Sequence, residues 1–233
     1  MNPLADLRFE TTGFDRAAWQ AAPASFLDRP LMQYWAFGEA KAAAGPWRAE
    51  RGLFRANGAI VGAAQIMIRP LPLVGGGLVW INRGPLWRAR SDQSPERLAA
   101  LLGVLRARWE SGGHYLRVAP PIEGRFNAPG FGPTGTPGWA SARVDLAPPP
   151  DALRAHLQQK WRNALNKAER GGLIVSSGVG SFSVFHDGFA RFLAEKKFPT
   201  SVTPDFLARL QDCLPPDNKM IAHIARAGDV LAG

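Results

Sequence analysis

Arg55-Ala56-Asn57-Gly58-Ala59-Ile60-Val61-Gly62-Ala63 is the stretch on which the fold reading turns. Asn57-Gly58 is the strongest short hairpin signal in the chain, because both central positions of a type I′ turn need positive φ. Trp47 to Arg55 runs into the turn as a strand, and Ala59 to Arg69 returns as its partner. A related pattern recurs at Arg226-Ala227-Gly228-Asp229-Val230-Leu231-Ala232-Gly233. Each copy has a strand ending in Arg-Ala, a tight turn and a small-and-aliphatic return, and each is preceded by helices. Similarity at this separation predicts duplicated units.

Outward from the first hairpin, Pro30 to Ala44 reads as a helix stopped by Gly45-Pro46. Gly75-Gly76-Gly77 marks a loop and Leu78 to Asn82 a third strand, ending in Arg83-Gly84-Pro85. Ser94-Pro95 opens a helix with a cap residue followed by proline. Its stripe is Leu98, Leu101, Leu102 and Leu105. Tyr115 to Ala119 is the next strand, and residues 120–138 read as a loop. Trp139 to Leu146 closes the first unit as a strand.

Pro148-Pro149-Pro150 reads as a linker, so the expected division is 1–147 and 148–233. The second unit then reads as a helix from Asp151 to Arg170, stopped by Gly171-Gly172, and a strand from Leu173 to Ser177. Two helices follow, over Ser181 to Lys197 and Thr203 to Leu214, then the strand Lys219 to Ala227. Val230 begins a partner strand with little room to continue. The expectation is a fragment of a longer protein whose second unit stops mid-fold.

Composition narrows the function classes. With 28 basic and 19 acidic residues the chain carries a net charge of +9. That surplus is spread along the chain and favours anionic partners: phosphates, nucleic acid or an acidic membrane surface. No apolar run approaches the roughly 20 residues that span a bilayer. The N-terminus lacks a basic segment followed by an apolar one, so no signal peptide is expected. Cys213 is the single cysteine, which fits a reducing compartment and a cytoplasmic location.

Few residues announce chemistry. His114, His156, His186 and His223 are scattered without ligand spacing, so no metal site is expected. No Gly-x-Ser-x-Gly elbow or P-loop is present. Two basic features remain. Lys41 stands near the end of the first helix, where a cation also suits the helix C-terminus. Lys160-Trp161-Arg162-Asn163-Ala164-Leu165-Asn166-Lys167-Ala168-Glu169-Arg170 offers a basic helix that is either a solvated face or a contact for phosphate or nucleic acid.

At these residues the sequence resembles the FemABX family, the peptidoglycan interpeptide-bridge aminoacyltransferases. The family pattern appears as Gln33, Trp35, Lys41, Gly45 and Trp47, then Arg69 to Pro72 and Arg83 to Pro85. Lys160, Arg162, Lys167, Ala168, Glu169 and Gly172 continue it in the expected order. The resemblance implies an α/β (α+β) fold of tandem GNAT-like domains, of the acyl-CoA N-acyltransferase type, the second incomplete. It implies transfer of an amino acid from aminoacyl-tRNA to an amine of a UDP- or lipid-linked muropeptide, without a bound cofactor. It marks Lys41 as the contact to the precursor's phosphates and Arg83, Arg162 and Lys167 as further substrate-binding candidates. A fragment of such an enzyme would bind part of the substrate without completing catalysis. Peripheral contact with a membrane surface goes with a lipid-linked substrate.

Two other readings stay open. One is a GNAT-type N-acyltransferase using acyl-CoA in cell-envelope or polysaccharide modification. That chemistry wants a Gly-rich turn leading into a helix, to hold pyrophosphate on backbone N–H groups. Arg83-Gly84-Pro85-Leu86-Trp87-Arg88 lacks its spacing. The other is a non-catalytic module that binds nucleic acid or an envelope precursor.

Overall fold

The Asn57-Gly58 hairpin forms with Ala56 facing Ala59, and the two turn residues have φ of 50° and 78°. It belongs to a computed structural model that describes residues 4–12, 14–72, 75–124, 126–135, 142, 144–197 and 200–231. The strands it joins are β2 (Arg48–Ala56) and β3 (Ala59–Leu71). Phe54 faces Gly62 while Arg55 faces Ile60, so Val61 is an extra residue on β3. A bulge leaves a carbonyl outside the ladder. Arg97 satisfies it, donating from Nε at 3.0 Å and Nη2 at 2.7 Å to the Val61 oxygen.

Three further strands complete this sheet: β1 (Arg8–Glu10), β4 (Gly76–Asn82) and β5 (His114–Ala119), in the order β1-β2-β3-β4-β5. Only β4 and β5 are parallel. A parallel pair needs a crossover, and the helix α3 (Pro95–Trp109) supplies it. Ser94 caps α3 by accepting from the Arg97 N–H. Leu98, Leu101, Leu102 and Leu105 are all at most 3% exposed and pack with Phe54, Ile66, Val79 and Ile81. Each buried leucine contributes about 1.5–3 kcal/mol, so this stripe holds the sheet on one face.

The opposite face is covered at the β2–β3 end by α2 (Trp35–Ala43), with α1 (Arg16–Ala21) beside it. The helix expected over Pro30 to Ala44 is in two pieces. Leu31–Gln33 is a 3₁₀ turn, and Tyr34 is extended, with ψ of 144°, before α2 begins. β1 and α1 were not read from the sequence, and Gly76 and Gly77 belong to β4 rather than a loop.

The chain separates into two units: Met1–Pro133 with Asp205–Pro215, and Thr134–Pro204 with Pro216–Gly233. The boundary expected at 147/148 therefore differs from the observed one. The helix α7 (Pro204–Cys213) lies largely with the first unit, where Phe206 meets Phe37 and Arg16 donates to the Cys213 carbonyl at 2.9 Å. Of the expected strand over Trp139 to Leu146, residues 139–141 and 143 lie outside the described residues, and Ala142 and Val144 to Leu146 are not in a strand.

The second unit contains α4 (Pro150–His156), α5 (Gln159–Arg170), β6 (Ile174–Gly178), α6 (Phe182–Lys196), β7 (Ala222–Ala227) and β8 (Val230–Leu231). The single helix expected over Asp151 to Arg170 breaks at Leu157, whose ψ is 141°. The three strands pair antiparallel in the order β6-β7-β8. Ala227 faces Val230, but here Gly228 alone has positive φ, at 60°. That is the sign pattern of a type II′ turn, so the two hairpins reach the same connection by different turn chemistry.

Leu101→Ala should lower stability by about 2–5 kcal/mol, because it empties a closed site under the sheet. Urea unfolding followed by circular dichroism measures it. A midpoint unchanged from the parent would show that α3 does not anchor the sheet.

Candidate anion-binding site

Gln65 interrupts the apolar run of β3 and is 1% exposed. A buried amide needs partners, and it has four. Its N–H donates to Gln33 Oε1 at 2.7 Å, and its carbonyl accepts from Gln33 Nε2 at 3.2 Å. Its side-chain Nε2 donates to the carbonyls of Met32 and Tyr34, at 3.0 and 2.8 Å, and its Oε1 accepts from Arg51 Nε at 2.8 Å. Gln33 also donates to the Asn82 carbonyl at 2.9 Å. Two glutamines thus fasten the segment before α2 to β3 and to the end of β4.

Arg51 completes the clamp from β2. Its Nη2 donates to the Trp35 carbonyl at 3.0 Å and to Glu39 Oε1 at 2.8 Å, and its guanidinium lies 3.7 Å from the Trp35 ring centroid. Burial lowers its pKa and the Glu39 carboxylate pulls it back up. Gly38 is the close-approach point. A Cβ there would stand 2.5 Å from Gln65 Oε1 and 2.6 Å from Arg51 Nη2. A small surface dimple of ≈ 20 Å³ opens beside the clamp, lined by Trp19, Arg29, Gln33, Tyr34 and Trp35.

The clamp sets the rotation of α2. Trp35, Gly38 and Glu39 face Arg51, so Phe37 and Lys41, four residues apart, share another face. Phe206 packs there, its ring 5.5 Å from that of Phe37 and 5.4 Å from Lys41 Nζ. Burial pushes the Lys41 ammonium below its ordinary pKa. Among the described residues no carboxylate pairs with it. The site therefore holds a partly desolvated cation, on the last turn of α2, with an aromatic ring but no counter-ion.

Below α2 the chain passes through Gly45-Pro46 to Trp47, which stands 6.1 Å from the Trp80 ring of β4. The Arg117 guanidinium of β5 lies 5.7 Å from the same Trp80 ring. Met67, Trp80 and Arg117 are register partners, as are Arg69, Leu78 and Tyr115. Partners share a face, so this half of the sheet presents aromatic and cationic side chains together, with Tyr115 63% exposed. Arg83 follows β4 directly, half-buried with φ of 52°, ahead of the cis Gly84-Pro85 bond.

Lys41 and Arg83 thus belong to the first unit, and Arg162 and Lys167 to the second. Arg162 is engaged locally, donating to the Ala155 carbonyl and to Gln159 Oε1, each at 2.6 Å. Lys167 is exposed. At 100° per residue the two lie roughly 140° apart around α5. They do not form one patch.

The combination of a mixed five-stranded sheet, a β4–α3–β5 crossover and a second sheet-bearing unit has a counterpart among solved structures. The chain is similar in fold to FemX. That crystal structure matches with a TM-score of 0.69 and 19% sequence identity, over 93% of this chain. The chain spans 57% of the FemX chain. At this identity the likeness to FemX is one of fold, and it bears out the α/β class of GNAT-like type expected from the sequence. No protein-family model and no curated protein matches the chain.

Sequence reasoning missed the clamp. Gln33 and Trp35 stood out in the sequence as part of the family pattern, but their partner Gln65 showed only as a lone amide inside the apolar run from Ala59 to Ile68. Two glycine substitutions test it. An alanine in a helix interior gains up to about 1 kcal/mol over glycine. Gly103→Ala in α3, with nothing within 4 Å of the added carbon, should show that gain. Gly38→Ala meets a fixed network, where overpacking costs about 1–3 kcal/mol, so it should be destabilising. Equal thermal shifts for the two would show that the clamp yields freely.

Proposed function

We propose that this chain is part of a Fem-type transferase that builds peptidoglycan interpeptide bridges, and that its first unit holds the anionic precursor. The observation that carries this reading is Lys41, a partly buried ammonium with no carboxylate partner among the described residues. Such a cation gains most from an anion brought by a ligand, since a charge-assisted contact relieves its desolvation. The resemblance of Gln33, Trp35, Lys41, Gly45 and Trp47 to the FemABX pattern, and the FemX-like fold, support the class.

On this reading Lys41 receives the phosphates of a UDP- or lipid-linked muropeptide. Trp47, Trp80 and Arg117 suit the flat or polar remainder of a nucleotide-linked ligand. The amino acid arrives on tRNA. The acceptor amine attacks the ester carbonyl, an amide C–N bond forms, and the ester C–O bond breaks. The ribose hydroxyl leaves with the amine's proton. No covalent enzyme intermediate and no bound cofactor are needed; positioning and charge stabilisation carry the rate. Both substrates place the reaction in the cytoplasm. Arg83, Arg162 and Lys167 are further contacts to anionic groups, the last two as candidates on the tRNA side. The acyl-CoA alternative wants a strand-to-helix turn, but α3 starts only at Pro95 and Leu86 pairs back onto Ala63 of β3.

Lys41→Ala should weaken UDP-muropeptide binding about 10- to 100-fold, the range of one hydrogen bond to a charged group. A bound anion favours the ammonium and raises its pKa. The affinity of the parent should therefore fall as pH rises through the lowered Lys41 pKa, and Lys41→Ala should lose that dependence. Calorimetry across the alkaline range reads both. An affinity that ignores both the substitution and pH would sink the reading.

A further inference from the structure

The chain enters α7 from Thr134–Pro204 and leaves it into Pro216–Gly233, segments of the second unit, yet α7 itself belongs to the first. Its sequence fits it for docking. Phe206, Leu210 and Leu214 recur every four residues and are 5%, 1% and 5% exposed, so they form one buried apolar stripe. Asp205, Arg209 and Asp212 are exposed. Pro204 is the first residue of the helix and Pro215-Pro216 follow its last turn, which bounds it at both ends. A helix of 10 residues is marginal by itself in water. The order of α7 therefore depends on its stripe being docked.

Docking brings Phe206 to Lys41. The ring stands 5.4 Å from Lys41 Nζ and 5.5 Å from the Phe37 ring, and at the other end of α7 Arg16 Nη2 donates to the Cys213 carbonyl at 2.9 Å. Phe37 and Lys41 share a face of α2, whose rotation the Arg51 clamp holds. One wall of the Lys41 site is thus fixed to the sheet, and the other arrives on a helix that is ordered only when docked. The phenyl face attracts the ammonium and keeps part of the water from it. With less water around it, an ammonium holds an anion more strongly than an exposed one does.

From this we infer that α7 is a latch on the anion site: docking of α7 and binding of a phosphate-bearing anion at Lys41 stabilise each other. By linkage each strengthens the other by the same factor. Phe206 is then a positioning residue, which acts on the ligand through Lys41. The coupling rests on the proposed function, since it needs an anion at Lys41.

The test is amide hydrogen exchange over residues 205–214 of the full chain, read by mass spectrometry with and without UDP-muropeptide at about ten times its dissociation constant. Exchange there should slow about ten-fold, the linkage expected when the undocked state has no affinity. The ligand should have no such effect on Lys41→Ala. Phe206→Ala should speed exchange over the segment about 100-fold or more, through the lost buried ring, and weaken UDP-muropeptide binding about five- to ten-fold. Exchange of the β3 amides checks that the first unit of this variant stays folded. Cys213, the single cysteine, gives a second reading at the end of α7: its thiol should react with Ellman's reagent more slowly when the ligand is bound. Binding that ignores Lys41→Ala would defeat the proposed function and the latch together. Lys41-dependent binding that leaves α7 exchange unchanged, or speeds it, would overturn the latch alone; in the second case Phe206 is a lid that the anion displaces. A Phe206→Ala variant whose α7 exchanges freely while it binds the ligand as the parent does would overturn it too.

Discussion

Burial of the Arg51 guanidinium is the constraint on which the first unit is organised. A charge taken out of water destabilises a fold by several kcal/mol unless its donors are all engaged. Here the engagement is distributed: Gln65 takes one donor, the Trp35 carbonyl and Glu39 take others, and the Trp35 ring covers one face. Glu39 is itself 48% exposed, so water screens that ion pair and the amide and backbone acceptors matter more. Such a cluster adds less to stability than an apolar core of the same volume would. Its effect is to permit one rotation of α2. A helix free to roll would move Trp35 off the guanidinium and leave Gln65 without acceptors. With the roll fixed, Phe37 and Lys41 have to face Phe206.

The parts of this arrangement legible in the sequence are those decided by neighbours along the chain. Asn57-Gly58 specifies its turn through backbone φ alone, and Ser94-Pro95 with four leucines specifies α3. Where a distant partner decides, local signals misled. Apolar spacing continues through Tyr34, yet the chain turns extended there because Gln65 claims the carbonyls of Met32 and Tyr34 for the clamp. The same continuity hides the break at Leu157. β1, three residues long, is fixed by pairing with Arg55, Phe54 and Leu53, a contact no local pattern encodes. Lys41 was legible as a basic residue at a helix end. Its burial was not, because that depends on Phe206 arriving from a helix far along the chain.

The two hairpins show how architecture and local chemistry separate. One uses positive φ at both central positions, the other at Gly228 alone, yet both give two-residue connections between antiparallel strands. The Arg-Ala and small-aliphatic flanks are shared because they serve the pleat, and the turn residues differ because several solutions fit the same twist. A repeat search on turn residues would miss this pair, whereas one on flanks and strand order finds it.

Lys41 links the fold to its proposed ligand. Its pKa is lowered by burial, so the folded state holds this proton less tightly than the unfolded chain does. Between the lowered folded value and the ordinary value of 10.5, the unfolded chain binds more protons and stability rises with pH. Below that window the charged form is present in both states, and its desolvation is a standing destabilisation of the folded protein. The α2 clamp sustains it, since relaxing the helix to free Lys41 would unpair Arg51 and Gln65. An anion placed at Lys41 removes the destabilisation without moving the helix. Binding of the proposed anion there would thus be preorganised by interactions made in the core, on the opposite face of α2 from Lys41.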